Sequence, residues 1–402
     1  MPTLYDELAG ADALVVGAGF AGATIARELA ERGDMRVSVI ERRSHLGGNA
    51  YDHYDDHGVL IHIYGPHIFH TDSERVFDYL SRFTEWNGYS HKVQANIDGD
   101  LVPVPFNLNS IAACFESGQA ADISAALLAN YPIGTRIGIL DLLEHPNRQL
   151  QELARFVYEK VYLQYTMKQW GLRPEEIDPA VTARVPVLVD SDDRYFQDIY
   201  QGLPLDGYHR LFDRLLDHPN ISVRQGIDSI GVLRLQISEP EGDDGQRSVH
   251  QIGVFDRPFS GPIIYTGAID ELVTWCYGVL PYRSLDFTYQ THSQQHVQPI
   301  GTINYTTGEE FTRTTEYSWL TGQQIGLTTI ATEFPKAFQS PKLQIPYYPI
   351  ITEQNQAAYQ RYLDMFRDVP QLIFLGRLAE FRYYDMDDIV ERALVLADEL
   401  LA

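Results

Sequence analysis

The stretch Ala13-Leu-Val-Val-Gly-Ala-Gly-Phe-Ala-Gly22 decides the fold. Four apolar residues read as a short buried strand, and Gly17, Gly19 and Gly22 follow at the spacing G-x-G-x-x-G. The three glycines serve different mechanical ends. The first permits a tight turn, the second lets backbone approach a pyrophosphate, and the third lets helix pack on strand. Residues 21–32 then carry Ile25, Leu29 and Ala30 on one helical side, stopped by Gly33. A second strand, 36–40, ends at Glu41, where an acidic residue would meet the ribose hydroxyls of a dinucleotide. The helix start offers unpaired N–H groups and partial positive charge to the phosphates.

Working outward, Glu41-Arg-Arg-Ser-His-Leu-Gly-Gly-Asn-Ala50 resembles the second glycine pair of glutathione-reductase-type folds, which favours FAD over a nicotinamide. No second G-x-G-x-x-G appears to serve a separate nicotinamide domain. Residues 91–105 alternate like two strands around Asp98-Gly99, with Pro103 and Pro105 marking a sheet edge. Residues 110–175 are helical in pattern, most clearly from Leu150 to Tyr165, where Leu153, Val157, Val161 and Tyr165 recur at intervals of four. After Pro186 short strand-like runs dominate, near 221–227, 250–256 and 262–266, with 240–248 as an exposed loop tip. Residues 285–334 alternate as an antiparallel sheet would. Leu372–Leu375 is a last strand, and an amphipathic helix over 387–400 closes the chain.

Composition sets outer bounds. The 402 residues suffice for two or three domains, and 44% apolar with 21% charged residues describes an ordinary globular protein. No apolar run approaches the ~18–20 residues of a membrane span, and residues 1–10 lack a signal-peptide pattern. Cys114 and Cys276 make neither a disulfide framework nor a metal site. The expectation is a cytoplasmic protein, a homo-oligomer, with no membrane or nucleic-acid partner. A net charge of −24 supports the last point, and it requires any anionic substrate to be held by a local group of arginines. His67 and His70 sit three apart without acidic or cysteine company, so no metal is expected; Asp52, His53, Asp55, Asp56 and His57 read as a solvated strand and turn.

Several further segments carry a resemblance. They include Gly47-Gly-Asn-Ala-Tyr51, Tyr64-Gly-Pro-His-Ile-Phe-His-Thr71, Pro105-Phe-Asn107, Tyr165-Thr-Met-Lys-Gln-Trp-Gly171 and Arg184-Val-Pro186. Arg194-Tyr-Phe-Gln-Asp198, Tyr200-Gln-Gly202, Tyr347-Tyr-Pro349, Gly376-Arg-Leu-Ala-Glu380 and Tyr383-Tyr-Asp-Met386 follow in order. Along nearly its whole length the chain resembles the bacterial UDP-galactopyranose mutases.

The resemblance implies a mixed α/β fold in three parts. A discontinuous Rossmann-like FAD-binding domain would take residues 1–84, 209–280 and 367–402. An inserted helical domain would take 106–183, and an antiparallel sheet domain lining the substrate cleft 85–105, 184–208 and 281–366. It implies an isomerase that interconverts UDP-galactopyranose and UDP-galactofuranose through a covalent adduct between reduced FAD N5 and the anomeric carbon. Arg184 and Arg313 would grip the pyrophosphate, assisted by Tyr195, Tyr348 and Tyr383. Tyr165 would stack on uracil, Trp170 would lie beside the sugar, and Asn304 would reach the nucleotide. His70 would sit near the flavin N5, giving His70, Arg184 and Arg313 as the catalytic set. Candidate cofactor contacts are Gly17, Gly19, Phe20, Gly22, Glu41, Arg42, Gly48, Asn49, His67, Gly376, Arg377, Tyr384, Asp385 and Met386. The final helix would point its positive end at the flavin.

Two departures stand out: Pro66 replaces a common Ala, and His91 replaces a common Asn beside the substrate. The segment 171–197 joins Gly171 and three prolines to Arg184 and Tyr195, the make-up of a lid. Competing readings are an amine- or porphyrinogen-oxidase-type flavin oxidase, a flavin-binding interaction protein without turnover, and a mutase for another nucleotide sugar. The first has no reason to carry the 165–171 segment with two arginines, and the second would not need those arginines. The third is open.

Overall fold

The computed structural model describes residues 7–8, 10–176, 186–240, 245–255, 257–339 and 342–402. Its centre is a five-stranded parallel sheet in the order Ile221–Gln225, Val37–Glu41, Ala13–Val16, Ile263–Tyr265, Leu372–Phe374. The middle strands are buried along their length because both faces are covered, which is why Ala13–Val16 and Ile263–Tyr265 read as apolar runs without alternation. One face carries the helices Phe20–Glu31, Tyr208–Leu216 and Met386–Leu401. The other packs on a three-stranded antiparallel sheet, Leu233–Ile237, Val249–Val254 and Arg257–Pro258, and on the helix Glu353–Asp364. Strands from opposite ends of the sequence are thus neighbours, with Leu14 opposite Ile263 and Ile263 opposite Leu372.

A seven-stranded sheet stands beside this unit. Its order is Tyr348–Pro349, Tyr282–His292, Thr328–Ala337, Arg313–Glu316, Thr302–Tyr305, Val93–Ile97, Asp100–Val104. Its strands pair antiparallel except where Thr302–Tyr305 runs parallel to Val93–Ile97, two strands that come from distant parts of the chain and need no hairpin. Asp100–Val104 is the edge that Pro103 and Pro105 implied. Helices Leu108–Cys114, Ser117–Asn130, Ile139–Leu143 and Arg148–Val157 share a core with the end of this sheet.

The helix read as continuous over 150–165 is not. Arg148–Val157 is α-helical, Tyr158–Tyr162 is a π turn in which the Leu163 N–H donates to the Tyr158 carbonyl, and Leu163–Trp170 resumes the α-helix. Leu153, Val157 and Val161 lie in the core as the spacing requires. The extra residue of the π turn rotates Tyr165 off that stripe, so the interval of four breaks at its last member.

Gly22 shows why the third glycine is needed. A Cβ there would lie 1.9 Å from the Gly17 carbonyl oxygen and 3.1 Å from Val15 Cγ1. Backbone cannot yield as a side chain can, so Gly22→Ala should destabilise the protein by about 1–3 kcal/mol. A denaturant melt checks this; an unchanged midpoint would show that helix and strand can separate without loss.

Candidate functional site

The parallel strands end on one edge, and the loops leaving them enclose a cavity of about 1190 Å³, open solvent at its mouth included. Of the candidate cofactor residues, all but Gly22 line it; Gly22 sits behind, between helix and strand. Gly17 has φ +102°, and a Cβ on it would lie 2.0 Å from Thr266 Oγ1. A Cβ on Gly48 would stand 3.1 Å from Gly19 Cα, so the two glycine turns abut as bare backbone.

The helix Phe20–Glu31 begins at Gly19 with no side-chain cap and no acidic residue in its first turn. By contrast, Ser73, Asn107, Asn147 and Thr352 cap the helices that follow them. An uncapped N-terminus on a cavity wall fits a pyrophosphate. Glu41 is buried, and its two carboxylate oxygens accept from the N–H groups of Ala18 and Arg43, each at 2.8 Å. Its position is therefore fixed before any ribose arrives. Arg42 pairs with Glu271 at 2.9 Å at the cavity rim.

Arg43, next to a residue that the motif did single out, was missed. It donates through Nη2 to Asn49 at 2.9 Å, its guanidinium lies 4.4 Å from the Tyr64 ring centre, and Nη1 is buried with no hydrogen-bond partner among the described residues. An orphan guanidinium donor on the cavity wall suits an anionic or polar ligand edge. Asp228, Ser229 and Thr266 also line the cavity and were missed, because only the parallel register brings their strands to this edge.

At the far end, the final helix starts at Asp385, whose carboxylate forms a reciprocal capping box with Asp388, with Asp387 also in the first turn. Burial raises the Asp387 carboxyl pKa above its usual value. The helix end anticipated to face a flavin with positive charge is thus already met by carboxylates, which reduces what its dipole can offer.

A cluster of aromatic and arginine side chains adjoins the cavity at Arg377. The Arg377 guanidinium lies 5.2 Å and 5.0 Å from the ring centres of Tyr348 and Tyr383, and Nε donates to the Tyr384 carbonyl at 3.2 Å. Those two rings stack at 5.7 Å and 12°, and Trp170 leans on both at 5.7 and 6.2 Å. Arg313 is held by Glu333, whose Oε2 accepts from Nε at 2.9 Å and Nη2 at 2.7 Å, while Thr312 donates to Oε1 at 3.0 Å. Burial alone would lower the Arg313 pKa, but Glu333, with Tyr165 and Tyr348 nearby, outweighs it and the net shift is upward. Glu333 was invisible in the sequence, since cross-strand pairing sets it opposite Arg313 from twenty residues away. Asn304 pairs with Arg313 on the other flanking strand.

Tyr165, rotated out by the π turn, lies in the electrostatic reach of Arg313, Glu333, Tyr195 and Tyr348; burial is the main cause of its raised pKa. Arg184 lies outside the described residues, as does the centre of the 171–197 segment.

The histidines divide. His67 is on the cavity wall, and burial, helped by His62, pushes its pKa down to about 3. Its Nδ1 lies 2.8 Å from the Gly65 carbonyl, an obligate acceptor, so Nδ1 carries the proton and Nε2 is left as an acceptor. His70 does not line that cavity. It stacks on Phe196 at 3.6 Å, with Nδ1 3.3 Å from Asp198, and His91 lies against the same Phe196 ring at 6.1 Å. His91 is 4% exposed, and its Nδ1 lies 3.1 Å from the Tyr89 hydroxyl. Among the described residues, no group of three or more His, Cys, Asp or Glu could hold a metal, and no helix is long and apolar enough to cross a membrane.

Comparison with known proteins bears on this geometry. A UDP-galactopyranose mutase family model matches residues 160–383, and an NAD(P)-binding Rossmann-like domain model matches residues 15–83. The chain is 33% identical over 397 residues to the UDP-galactopyranose mutase of Mycoplasma pneumoniae, covering 97% of this chain and 96% of that protein. The chain belongs to the UDP-galactopyranose mutase family. It is therefore an enzyme of the isomerase type, with a Rossmann-like α/β fold. It is also 32% identical over 389 residues to the dTDP-fucopyranose mutase of Escherichia coli, covering 96% of this chain and 97% of that one. The crystal structure of a reduced UDP-galactopyranose mutase superposes with a TM-score of 0.68 at 14% identity, covering 97% of this chain and 95% of the other, which shows the shared fold.

His91 gives a pH signature. Burial, with Arg313 and His70 adding to it, lowers its pKa to about 3, against an ordinary value near ~6.5 in the unfolded chain. The unfolded chain binds this proton first, so the stabilisation is complete above ~6.5 and is lost as pH falls toward 3, at about 1.4 kcal/mol per unit. The stability of wild type minus that of His91→Asn should fall with this slope between pH 6 and 4, provided both remain folded there. Parallel stability curves would show that His91 titrates normally.

Proposed function

We propose that this enzyme interconverts UDP-galactopyranose and UDP-galactofuranose, with FAD in the cavity working in its reduced form. The observation that supports this is Arg377, which lines the dinucleotide cavity and at the same time packs against the Tyr348 and Tyr383 rings of the aromatic and arginine cluster. The cavity fits FAD by its abutting glycine turns, its uncapped helix start, its fixed Glu41 and the unpartnered Arg43 Nη1. Gly17, Gly19 and Phe20 would hold the pyrophosphate, Glu41 the ribose, and Gly48, Asn49, Gly376, Arg377, Tyr384, Asp385 and Met386 the flavin half. Bound and reduced, FAD would supply N5 as the nucleophile toward the anomeric carbon, with no net redox change.

The protein's own share is grip, orientation and exclusion of water. Arg313, and Arg184 with it, neutralises the pyrophosphate so that UDP can leave and return without a free dianion forming in a water-poor cleft. Tyr195, Tyr348 and Tyr383 donate hydroxyls to it. Tyr165 offers a face to the base, and Trp170 bounds the sugar. His67, with Nε2 unprotonated, can accept a hydrogen bond at the cavity wall, and His70 and His91 flank the cleft opposite. On this reading the division into FAD-binding, helical and sheet domains assigns one cleft wall to each.

The likeness to a dTDP-fucopyranose mutase, about as strong as that to the UDP-galactopyranose mutases, supports a second reading in which the sugar nucleotide differs. Incubating FAD-loaded protein with UDP-galactofuranose, and separately with dTDP-fucofuranose, with and without dithionite, separates the cases. Conversion of the UDP sugar only with dithionite is expected. Conversion of the dTDP sugar alone selects the second reading, no conversion of either overturns both, and full turnover without reductant overturns the role of reduced FAD.

Arg313→Ala removes a partly buried partner of the pyrophosphate. It should lower kcat/KM by about 30- to several-thousand-fold, corresponding to roughly 2–5 kcal/mol, with flavin content unchanged. Near-normal kinetics would place the nucleotide elsewhere.

A further inference from the structure

Within Tyr165-Thr-Met-Lys-Gln-Trp-Gly171, Lys168 has no part in the proposed catalytic site, yet its surroundings are the most constrained of the segment. It lies on the helix Leu163–Trp170 between Tyr165 and Trp170. Its ammonium, with three N–H donors, lies within hydrogen-bond distance of four backbone carbonyls of one turn: Tyr305 at 2.7 Å, Thr307 at 3.2 Å, Glu309 at 3.1 Å and Phe311 at 3.1 Å. Four carbonyl dipoles aimed at one point repel one another unless a cation sits there, so the turn holds this shape around the Lys168 charge. That turn joins Thr302–Tyr305 to Arg313–Glu316, the strands that present Asn304 and Arg313. The Tyr305 and Phe311 rings close its base at 4.6 Å. From the other side, Arg283 donates to the Gln169 and Lys168 carbonyls, each at 2.8 Å, and so ties the end of the helix to the sheet.

We infer that Lys168 is a positioning residue for the nucleotide: by threading its ammonium into the 305–311 turn, it fixes the distance between Tyr165 and Trp170 on the helix and Arg313 on the sheet. The inference rests on the reading that these residues hold the nucleotide. The base stack and the pyrophosphate grip belong to different elements, and a rigid nucleotide tolerates little error between them. A displacement of about 1 Å is enough to cost on the order of 100-fold.

Lys168→Met keeps the length and apolar stem and removes the charge. In FAD-loaded protein it should weaken UDP binding, measured by calorimetry, by about 10- to 100-fold, while flavin content and thermal midpoint stay near wild type. Amide hydrogen exchange of the 305–311 turn should quicken by at least tenfold. Lys168→Ala opens a channel of the size of the missing chain, and n-propylammonium should restore part of the UDP affinity whereas 1-butanol should not. UDP affinity equal to wild type in Lys168→Met overturns the inference. If that variant loses its flavin and fold, recovery of UDP binding in Lys168→Ala with n-propylammonium supports it, and no recovery overturns it. Wild-type protein that binds neither UDP nor dTDP overturns the reading of the site instead; unchanged exchange in the turn then overturns the Lys168 tether separately.

Discussion

The helix Phe20–Glu31 can lie against the strand Ala13–Val16 only because Gly22 has no side chain to place between the Gly17 carbonyl and Val15. That close approach has consequences well beyond the pair. It sets the uncapped helix start directly at the strand's end, and it brings Gly19 against Gly48, so that two loops share one bare-backbone floor. The parallel register then carries the loops after Ile263–Tyr265 and Leu372–Phe374 to the same edge, although they come from the far end of the chain. A ligand crevice at the carboxyl ends of parallel strands is the general result of such an arrangement.

Charge is handled locally against an overall balance of −24. Arg313 is held by a carboxylate that is itself 1% exposed, two N–H groups on one oxygen. A buried pair of this kind adds little net stability, since desolvation offsets most of the attraction. What it supplies is direction: the planar fork cannot rotate without leaving Glu333 buried and unpaired. The same logic holds at Glu41, whose two oxygens are fixed by backbone N–H groups before any ribose hydroxyl arrives. Polar groups pre-set by the fold lose less on binding than groups that must be ordered by the ligand.

The dinucleotide half of the site was legible in the sequence because its residues are close in the chain and its glycines answer to backbone sterics. Gly17, Gly19, Gly48 and Glu41 fall on the cavity wall with no help from distant contacts. The aromatic and arginine cluster was legible only through resemblance. Nothing local ties Arg313 to Glu333, or Lys168 to a turn 137 residues on. Those links exist only after strands pair. Arg43 is a different case: it adjoins Arg42 in the motif, but which of two consecutive arginines turns inward depends on Tyr64 and Asn49. The histidines follow the same rule, with His67 and His70 separated into two walls by the short strand Phe69–Thr71 pairing with Tyr200–Gly202.

The π turn at Tyr158–Tyr162 shows how a single helix serves both core and cleft. Up to Val161 the chain must keep Leu153, Val157 and Val161 on one stripe facing the other helices. Beyond it, Tyr165 leaves that stripe and comes within electrostatic reach of Arg313, Tyr195 and Tyr348. Regular α-helical phase cannot satisfy both demands within four residues. One inserted residue, closed by the Leu163 to Tyr158 bond, turns the remaining helix by enough to meet the second demand and leaves the first intact. The cost is a weaker stretch of backbone just ahead of the cleft, and the structure places its strongest tethers immediately after it, where Lys168 and Arg283 hold the helix to the sheet. The irregularity and the tethers are therefore parts of one solution: the helix is released from the core's register and then pinned to the sheet that carries Arg313.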